Sequence, residues 1–389
     1  MKLPGAGAGL QREAQAALSE GGARPAQPLV EVKDLVRHYR APGTMSKRQV
    51  IRAVDGVSFD VIEGETLGVV GESGCGKSTL GRLLVKLDSP TSGNVRFEGL
   101  DLSTVHRGAL QGLRRDLQMI FQDPMGSLDP LWRAERIIAE PLRASGMRDR
   151  HELRARVEEL LSTVGLDPEL GSRLPSEMSG GQRQRVGIAR AIATGPRLIV
   201  ADEPVSALDV SVQAQVVNLL AELQSRLKLS YVFIAHGLEV VRHLSDRVAV
   251  MYLGKVVELA PAEELFAAPA HHYTAMLLAA VPSADPGRRS GVAVQGEVGS
   301  AMTPPSGCRF NPRCPARQTR CSTEEPVLAR IGESRLVACH YPLKAEFRSA
   351  TVASGTASDL PTFSDAPPKA VPAIRPPAPS NRRNTPNAR

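Results

Sequence analysis

The chain has 389 residues, of which 42% are hydrophobic and 23% charged, and its formal net charge is +7 at pH 7. This length allows two modest domains or one large domain with appendages. No stretch approaches the apolar length of a membrane-spanning helix, and Gln11 and Arg12 interrupt the N-terminus before the core of a signal peptide could form. The positive charge is scattered rather than gathered with aromatic residues, which argues against nucleic-acid binding and favours a solvated basic surface.

The N-terminal region divides into a tail and a β-rich part. Residues 1–27 are rich in Ala, Gly and Gln, and we predict that they are disordered. Short apolar segments follow at Leu29–Val32, Gly56–Val61 and Val95–Phe97. They predict strands of an antiparallel β layer.

The segment Gly71–Thr79, with the sequence GESGCGKST, has the spacing of a phosphate-binding loop. The apolar run Thr66–Val70 predicts a buried strand before it, and Ser78–Lys86 predicts a helix after it. The loop glycines allow a tight turn that directs backbone amides at phosphate oxygens, while Lys77 would reach the β- and γ-phosphates and Ser78 would ligate Mg²⁺. Taken alone, the motif could also be a glycine-rich turn without a ligand. The residues of this loop predicted to bind nucleotide are Gly71, Ser73, Gly74, Cys75, Gly76, Lys77, Ser78 and Thr79.

The segment 125–178 is predicted to be a helical subdomain. Glu135–Ala144 and Arg150–Val164 carry apolar residues at spacings of three and four, which is typical of amphipathic helices.

Two carboxylates follow the next apolar run. Arg197–Ala201 predicts a buried strand that ends at Asp202 and Glu203. Parallel α/β sheets place their sites at such carboxyl ends. Asp202 suits a direct or indirect partner of Mg²⁺, and Glu203 suits a base that activates water for attack on the γ-phosphate. A pair of solvated acids at a strand end is the alternative.

The later elements are predicted to complete this domain. An apolar stripe at helical spacing follows residue 209 and indicates core packing, and Arg247–Glu258 predicts a hairpin that turns at Gly254. The stripe consists of Val212, Val216, Leu220, Leu223 and Leu227.

Four of the five cysteines, Cys308, Cys314, Cys321 and Cys339, lie within 32 residues at spacings of x5, x6 and x17. Four thiolates suit tetrahedral zinc or an iron–sulfur cluster, and unligated cysteines in a loop are the alternative. The fifth, Cys75, lies at a helix start, where a lowered thiol pKa is possible, although a tolerated small residue explains it as well. From Ala345 the chain is rich in Pro, Ala, Ser and Arg, and we predict disorder for residues 345–389.

Taken together, the motifs resemble those of ABC ATPases in their expected order. The resemblance implies an α/β fold with a RecA-like P-loop NTPase core, an antiparallel β layer and a helical insertion. Tyr39 resembles the aromatic residue that stacks on adenine, Gln122 the Q-loop glutamine that reaches the catalytic site and Mg²⁺, and His236 the switch histidine at the γ-phosphate. Ser206–Asp209 resembles the D-loop, so Asp209 is included in the nucleotide site. The signature residues, which in the family cap ATP held by the opposite subunit, are Ser179, Gly180, Gly181 and Gln182.

The sequence departs from the family pattern at two positions. Met178 stands where leucine is usual before the signature serine, and methionine fills a similar volume. Gly237 follows the switch histidine where aspartate is usual. Because glycine loosens the backbone that directs His236, we predict a working but slower switch.

The C-terminal segment is similar to the extension of peptide-importer ATPases, and the details between motifs resemble the F-type subunit of oligopeptide or dipeptide importers. This resemblance places an ATPase domain at 28–265 and an extension at 266–344. It implies a [4Fe-4S] cluster on the four cysteines, with Zn²⁺ as the alternative, and structural roles for His271 and His272.

The same resemblance implies a set of partners. These are a D-type ATPase subunit, two membrane permeases and an external binding protein, with this chain on the cytoplasmic face of the membrane. Alternatives are the same ATPase in a nickel or glutathione importer, or a soluble ABC protein acting on ribosomes or DNA. The soluble proteins normally carry two ATPase domains or a coiled-coil insertion, and neither is visible here.

Overall fold

The computed structural model describes residues 28–40, 50–280 and 299–343. The two predicted disordered tails, 1–27 and 345–389, lie outside the described residues. The strands are β1 Val30–Arg40, β2 Val50–Val61, β3 Thr66–Val70, β4 Ser92–Phe97, β5 Leu100–Asp101, β6 Leu117–Ile120, β7 Leu198–Asp202, β8 Ser230–Ile234, β9 Arg247–Tyr252, β10 Lys255–Pro261, β11 Ala329–Ile331 and β12 Arg335–Val337. The helices are α1 Lys77–Leu84, α2 Arg107–Asp116, α3 Pro124–Ser127, α4 Ala134–Ala144, α5 Arg150–Thr163, α6 Gly180–Ile192, α7 Val210–Leu227, α8 Leu238–Leu244, α9 Ala262–Ala267, α10 His272–Ala279 and α11 Thr319–Thr323.

The predicted antiparallel layer is confirmed as a four-stranded sheet in the order β2-β1-β4-β5. All of its pairings are antiparallel. Strand β1 alternates buried residues such as Val30 and Val32 with more exposed ones, as expected for a sheet with one face on the core.

The larger sheet has the order β11-β12-β10-β9-β3-β8-β7-β6. Strand β3 pairs in parallel with both β8 and β9, and β7 lies between β8 and β6 in the same direction. Strands β3, β7 and β8 are buried along their whole length, because apolar clusters cover both faces of the sheet. The carboxyl ends of β3 and β7 therefore meet at the same edge, where the phosphate loop and the two acids follow.

The hairpin predicted at residues 247–258 is confirmed, with β9 and β10 antiparallel and Gly254 in a left-handed turn at φ 81°. The sheet does not end there. Strand β12 pairs with β10, and β11 pairs with β12, so the C-terminal segment adds two strands to one edge. The sequence did not indicate these short strands.

Helices α4 and α5 occupy the two segments predicted to be helical, and α6 follows the signature. In α7 the middle of the predicted stripe is buried at Val216, Leu220 and Leu223, whereas Val212 and Leu227 are partly buried against the same core. Among the described helices, none has the length and apolar character needed to cross a bilayer.

Candidate functional site: a phosphate loop facing two strand-end acids

The phosphate loop lies between β3 and α1, as the sequence predicts, and its shape requires glycine at two positions. Gly76 has φ 108°, and a Cβ there would lie 1.9 Å from the carbonyl oxygen of Ala53. Gly71 has φ 152°, and a Cβ there would lie 2.2 Å from the carbonyl oxygen of Met251. Any side chain would therefore displace backbone that packs directly against the loop.

Lys77 begins α1 and is buried, with 4% of its surface exposed. Its ammonium donates hydrogen bonds to the carbonyl oxygens of Gly71 at 2.8 Å and Glu72 at 3.1 Å. The charge is thus held inside the curve of the loop, where a phosphate group would be bound.

Ser78 and Asp202 meet across the site. The Ser78 hydroxyl donates to Asp202 Oδ1 at 2.9 Å. Burial raises the pKa of Asp202, the nearby charge of Glu203 adds to the rise, and the hydrogen bond from Ser78 opposes it. A hydroxyl and a carboxylate brought together are the oxygen donors that Mg²⁺ prefers, so these two residues fit the ion that the sequence implies.

Glu203 stands at the centre of a second group of side chains. Gln122 Nε2 donates to Glu203 Oε2 at 2.7 Å, and His236 Nε2 lies 2.7 Å from Glu203 Oε1. The carboxylate is buried, with 5% of the residue exposed, while Gln122 and His236 are exposed. The three residues that sequence reasoning assigned to catalysis are therefore brought into contact.

The backbone at Glu203 has an unusual conformation. Its φ is 47°, in the left-handed region that residues other than glycine seldom adopt, and its N–H donates to the carbonyl oxygen of Ile234 at 2.9 Å. Such local strain is characteristic of functional positions, because the surrounding fold must enforce it.

The signature residues form the start of α6. Ser179 is the N-cap, its hydroxyl accepts from the N–H of Gln182 at 3.3 Å, and Gln182 Oε1 accepts from the N–H of Ser179 at 2.9 Å. This reciprocal capping box fixes the helix start. Ser179 and Gly180 are exposed, as is Asp209 at the N-cap of α7.

Tyr39 lies on β1, half-buried, and its hydroxyl donates to Asp88 Oδ2 at 2.6 Å. The guanidinium of Arg37 stacks 4.5 Å from the ring centroid. These contacts fix the ring, and stacking on adenine stays a prediction.

Gly237 is the N-cap of α8, with φ −76° and no side-chain cap. This conformation is open to any residue, so the backbone itself does not require glycine here.

Two family models match the chain. Residues 54–206 match "ABC transporter", and residues 257–321 match "Oligopeptide/dipeptide transporter, C-terminal region". A probable peptide ABC transporter ATP-binding protein of Sinorhizobium fredii is 53% identical over 80% of this chain and 89% of its own length. The chain belongs to the oligopeptide/dipeptide family of ABC transporter ATP-binding proteins.

Further relatives and a solved structure agree. An oligopeptide transport ATP-binding protein of Bacillus subtilis is 47% identical over 81% of this chain and 97% of its own length. A di/tripeptide transport ATP-binding protein of Pseudomonas aeruginosa is 45% identical over 81% and 98%. A dimeric ATP-binding cassette in a post-hydrolysis state with ADP and phosphate is 30% identical, with a TM-score of 0.55, covering 60% of this chain and 98% of that one. The fold is that of an ABC cassette, and the chain is an ATPase.

The prediction that this ABC ATPase holds an iron–sulfur cluster is wrong. Among the described residues, no group of three or more His, Cys, Asp or Glu side chains is arranged to hold a metal ion. Cys308, Cys314, Cys321 and Cys339 do line one cavity, but its volume is about 10 Å³, which is roughly the space of one water molecule. Burial also raises the pKa of the Cys308 and Cys314 thiols, and that of Cys339 to about 11.

A cavity of about 10 Å³ between the four cysteines leaves no room for the iron and sulfide of a cluster. The described residues give no evidence for the zinc alternative either. Cys308 and Cys321 instead pack in the interior of the extension beside Phe310, and Cys314 and Cys339 are half-buried.

Cys75 in the phosphate loop is buried, and burial raises rather than lowers the pKa of its thiol. Of the two interpretations of this residue, the structure favours the inert one. The two histidines of the extension have structural contacts. Burial lowers the pKa of His271 to about 3, and His272 Nε2 lies 2.9 Å from the carbonyl oxygen of Tyr341.

Sequence reasoning missed four residues that join the extension to the phosphate loop of this ABC ATPase and to the β layer beside it: Glu72, Tyr273, Arg309 and Arg313. The available signals were a carboxylate inside the phosphate loop and two arginines beside the cysteines. Neither signal identifies the residue with which it pairs, because Glu72 and Arg313 are 241 positions apart in the sequence.

Proposed function

We propose that this chain energises the import of di- and oligopeptides by a membrane-bound ABC transporter. The observation that carries the proposal is the pairing of a complete ATPase site with a C-terminal segment of the oligopeptide/dipeptide type. The names of the relatives, which refer to peptide, oligopeptide and di/tripeptide transport, support the same cargo. We place the ATPase domain at 28–265, its helical subdomain at 125–178 and the extension at 266–344.

At the ATP site, Lys77 would bind the β- and γ-phosphates. Ser78, Asp202 and Gln122 would hold Mg²⁺, which neutralises charge on the phosphate oxygens. Glu203 would accept a proton from the attacking water. Its contacts with Gln122 and His236 support this role, because they fix both carboxylate oxygens and leave the group buried beside the loop.

The signature serves ATP bound by a second ATPase subunit, which we propose to be a related D-type chain. Exposure supports this role: Ser179, Gly180 and Asp209 are exposed, and Val210 beside them is a hydrophobic residue with 82% of its surface exposed. An apolar residue and helix-start amides presented together suit an interface that closes on nucleotide.

The permeases would dock in a groove that adjoins Gln122. The groove has a volume of about 750 Å³, and its lining combines apolar and charged side chains, including Phe121, Pro141, Arg114 and Glu140. Such a lining suits an amphipathic helix from a membrane subunit. Closure of the two ATPase subunits on ATP at Glu203 would then move the groove through Gln122. This movement would couple hydrolysis to the opening of the permeases for a peptide delivered by an external binding protein. The chain would lie peripherally on the cytoplasmic face of the membrane.

Uptake of labelled cargo in cells tests the proposal. Cells carrying the intact transporter or its Glu203→Gln version are given, in separate assays, a labelled dipeptide, a labelled longer peptide, labelled nickel or labelled glutathione. We expect peptide uptake to be lost in the variant. Loss of nickel or glutathione uptake alone would keep the ATPase and overturn the peptide cargo.

A further inference from the structure

The phosphate loop contains an acidic residue that is bound by the C-terminal extension. Arg313 Nη1 donates to Glu72 Oε2 at 2.7 Å and Nη2 donates to Oε1 at 2.8 Å, which is a two-pronged ion pair. The Arg313 side chain is 3% exposed and that of Glu72 is 20% exposed. The hydrogen bonds from Arg313 to Glu72 raise the pKa of the guanidinium, so Arg313 keeps its positive charge.

The backbone of Glu72 is held as firmly as its side chain. Its N–H donates to the hydroxyl oxygen of Tyr273, in α10 of the extension, at 2.9 Å. Its carbonyl oxygen accepts from Lys77 at 3.1 Å. One loop residue is therefore bound by the extension at two points and by the phosphate-binding lysine at a third.

The two anchoring residues of the extension are themselves fixed by aromatic packing. The rings of Tyr252, Tyr273 and Phe310 form a buried cluster with centroid separations of 4.6 Å and 5.4 Å. Arg313 also donates to the Tyr252 hydroxyl at 3.3 Å. Since Tyr252 belongs to β9 of the main sheet, the cluster gives the extension a rigid base from which to hold the loop.

A second arginine of the extension contacts the β layer beside the same loop. Arg309 donates to Asp55 and to the carbonyl oxygen of Leu253. The Asp55 carboxylate also lies 2.8 Å from His38 Nε2, next to Tyr39. Burial opposes ionisation of Asp55, but the hydrogen bonds from Arg309 and His38 hold its pKa below the ordinary value.

We propose that Arg313 neutralises Glu72, so that the C-terminal extension sets the affinity of the phosphate loop for nucleotide. Without Arg313, the Glu72 carboxylate would be an uncompensated negative charge within a loop that must bind a polyanion. With it, the loop presents only the positive charge of Lys77 and its amides. The inference rests on the ATP site alone and is independent of the cargo.

Binding of Mg·ATP to the purified full-length chain tests the inference. Calorimetry is carried out on the wild type, Arg313→Gln, Arg313→Lys, Glu72→Gln and the double variant Glu72→Gln/Arg313→Gln. We expect Arg313→Gln to raise the Kd for ATP on the order of tenfold, because the unpaired Glu72 carboxylate would repel the phosphates of ATP. The double variant removes that charge and should return the Kd to within about twofold of the wild type.

Further readouts separate electrostatic neutralisation of Glu72 from a general loss of structure. Raising the salt concentration should shrink the Kd ratio between Arg313→Gln and wild type, since the repulsion is screened. Arg313→Lys should bind more tightly than Arg313→Gln. Arg320→Gln is the matched control, because Arg320 also forms an ion pair in the extension but is 56% exposed.

Several results would overturn the inference. One is a lowered unfolding midpoint for Arg313→Gln with an unchanged Kd for ATP, and another is a double variant that binds as weakly as Arg313→Gln. If Arg313→Gln does not fold, Glu72→Gln decides alone, because binding weaker than wild type would contradict neutralisation. A wild-type chain that does not bind ATP would instead refute the function proposed above.

Discussion

Replacing Glu203 by glutamine tests the assignment of the catalytic base most directly. The carboxylate uses both oxygens, one toward Gln122 and one toward His236, each at 2.7 Å. An amide of the same shape keeps one acceptor oxygen and replaces the other with a donor, so it cannot take a proton from water. The contacts of Lys77 and Ser78 are left intact.

The expected effect therefore falls on hydrolysis and not on binding. Loss of a positioned base lowers the rate by about 10²–10⁴-fold, which corresponds to ~2.7–5.4 kcal/mol of activation free energy. Because ATP would bind but not be cleaved, the variant should hold the ATPase pair in a closed, ATP-bound state.

The assay is identification of the nucleotide that stays bound. The assembled transporter is incubated with Mg·ATP, passed through a desalting column and quenched, and the retained ATP and ADP are measured. Glu203→Gln should retain ATP at the site of this chain, whereas the matched control Glu263→Gln, an exposed acid in α9, should behave as the wild type. An ATP affinity that falls as much as the rate would refute the role assigned to Glu203.

Four further predictions concern single residues. Lys77→Ala should weaken ATP binding by about 10- to 150-fold, the loss of ~1.5–3 kcal/mol for a charged hydrogen bond, and calorimetry showing unchanged affinity would contradict this. Phe310→Ala empties a site that is 1% exposed and should lower the free energy of unfolding by about 3–5 kcal/mol in a urea titration; a loss below about 1 kcal/mol would mean that the cluster is not a rigid base. The pKa of His271 is about 3 in the folded chain, against an ordinary value of 6.5, so the unfolded chain binds the extra proton. The free energy of unfolding should therefore fall by at most ~1.4 kcal/mol per pH unit as the pH drops below 6.5. His271→Asn should flatten this dependence when the unfolding midpoint is measured against pH. Gly237→Asp should cap α8, stabilise it by a few tenths of a kcal/mol and speed ATP hydrolysis, whereas an unchanged rate would show that this position does not control the switch.

Local patterns identified the ATP site because each motif joins a strand end to a loop of fixed chemistry. The run Thr66–Val70 and the glycines after it specify one backbone path, and the two acids after Ala201 must lie at the neighbouring strand end. The contacts of Glu203 with Gln122 and His236 follow from the resemblance to known motifs, since the three residues lie on separate loops.

The prediction of an iron–sulfur cluster, which rested on the resemblance to peptide-importer ATPases, was wrong for a physical reason. Four cysteines within 32 residues show that the thiols can be near one another, but they do not show whether the space between them is open or packed. The folded chain packs the four cysteines around a cavity of about 10 Å³, and burial raises the pKa of Cys339 to about 11; only the folded environment determines both.

The sequence by itself determined the ATPase, its family and the strands β3 and β7 that carry its ATP site, because these depend on periodicity and on motifs within short segments. Only the tertiary structure showed how the extension contacts the main sheet and the phosphate loop. Strand β12 joins the edge of the main sheet, and Arg313 reaches Glu72 across 241 positions of chain. The physical reason is that an ion pair depends on proximity in space, and only packing of the Tyr252, Tyr273 and Phe310 rings brings these two side chains together.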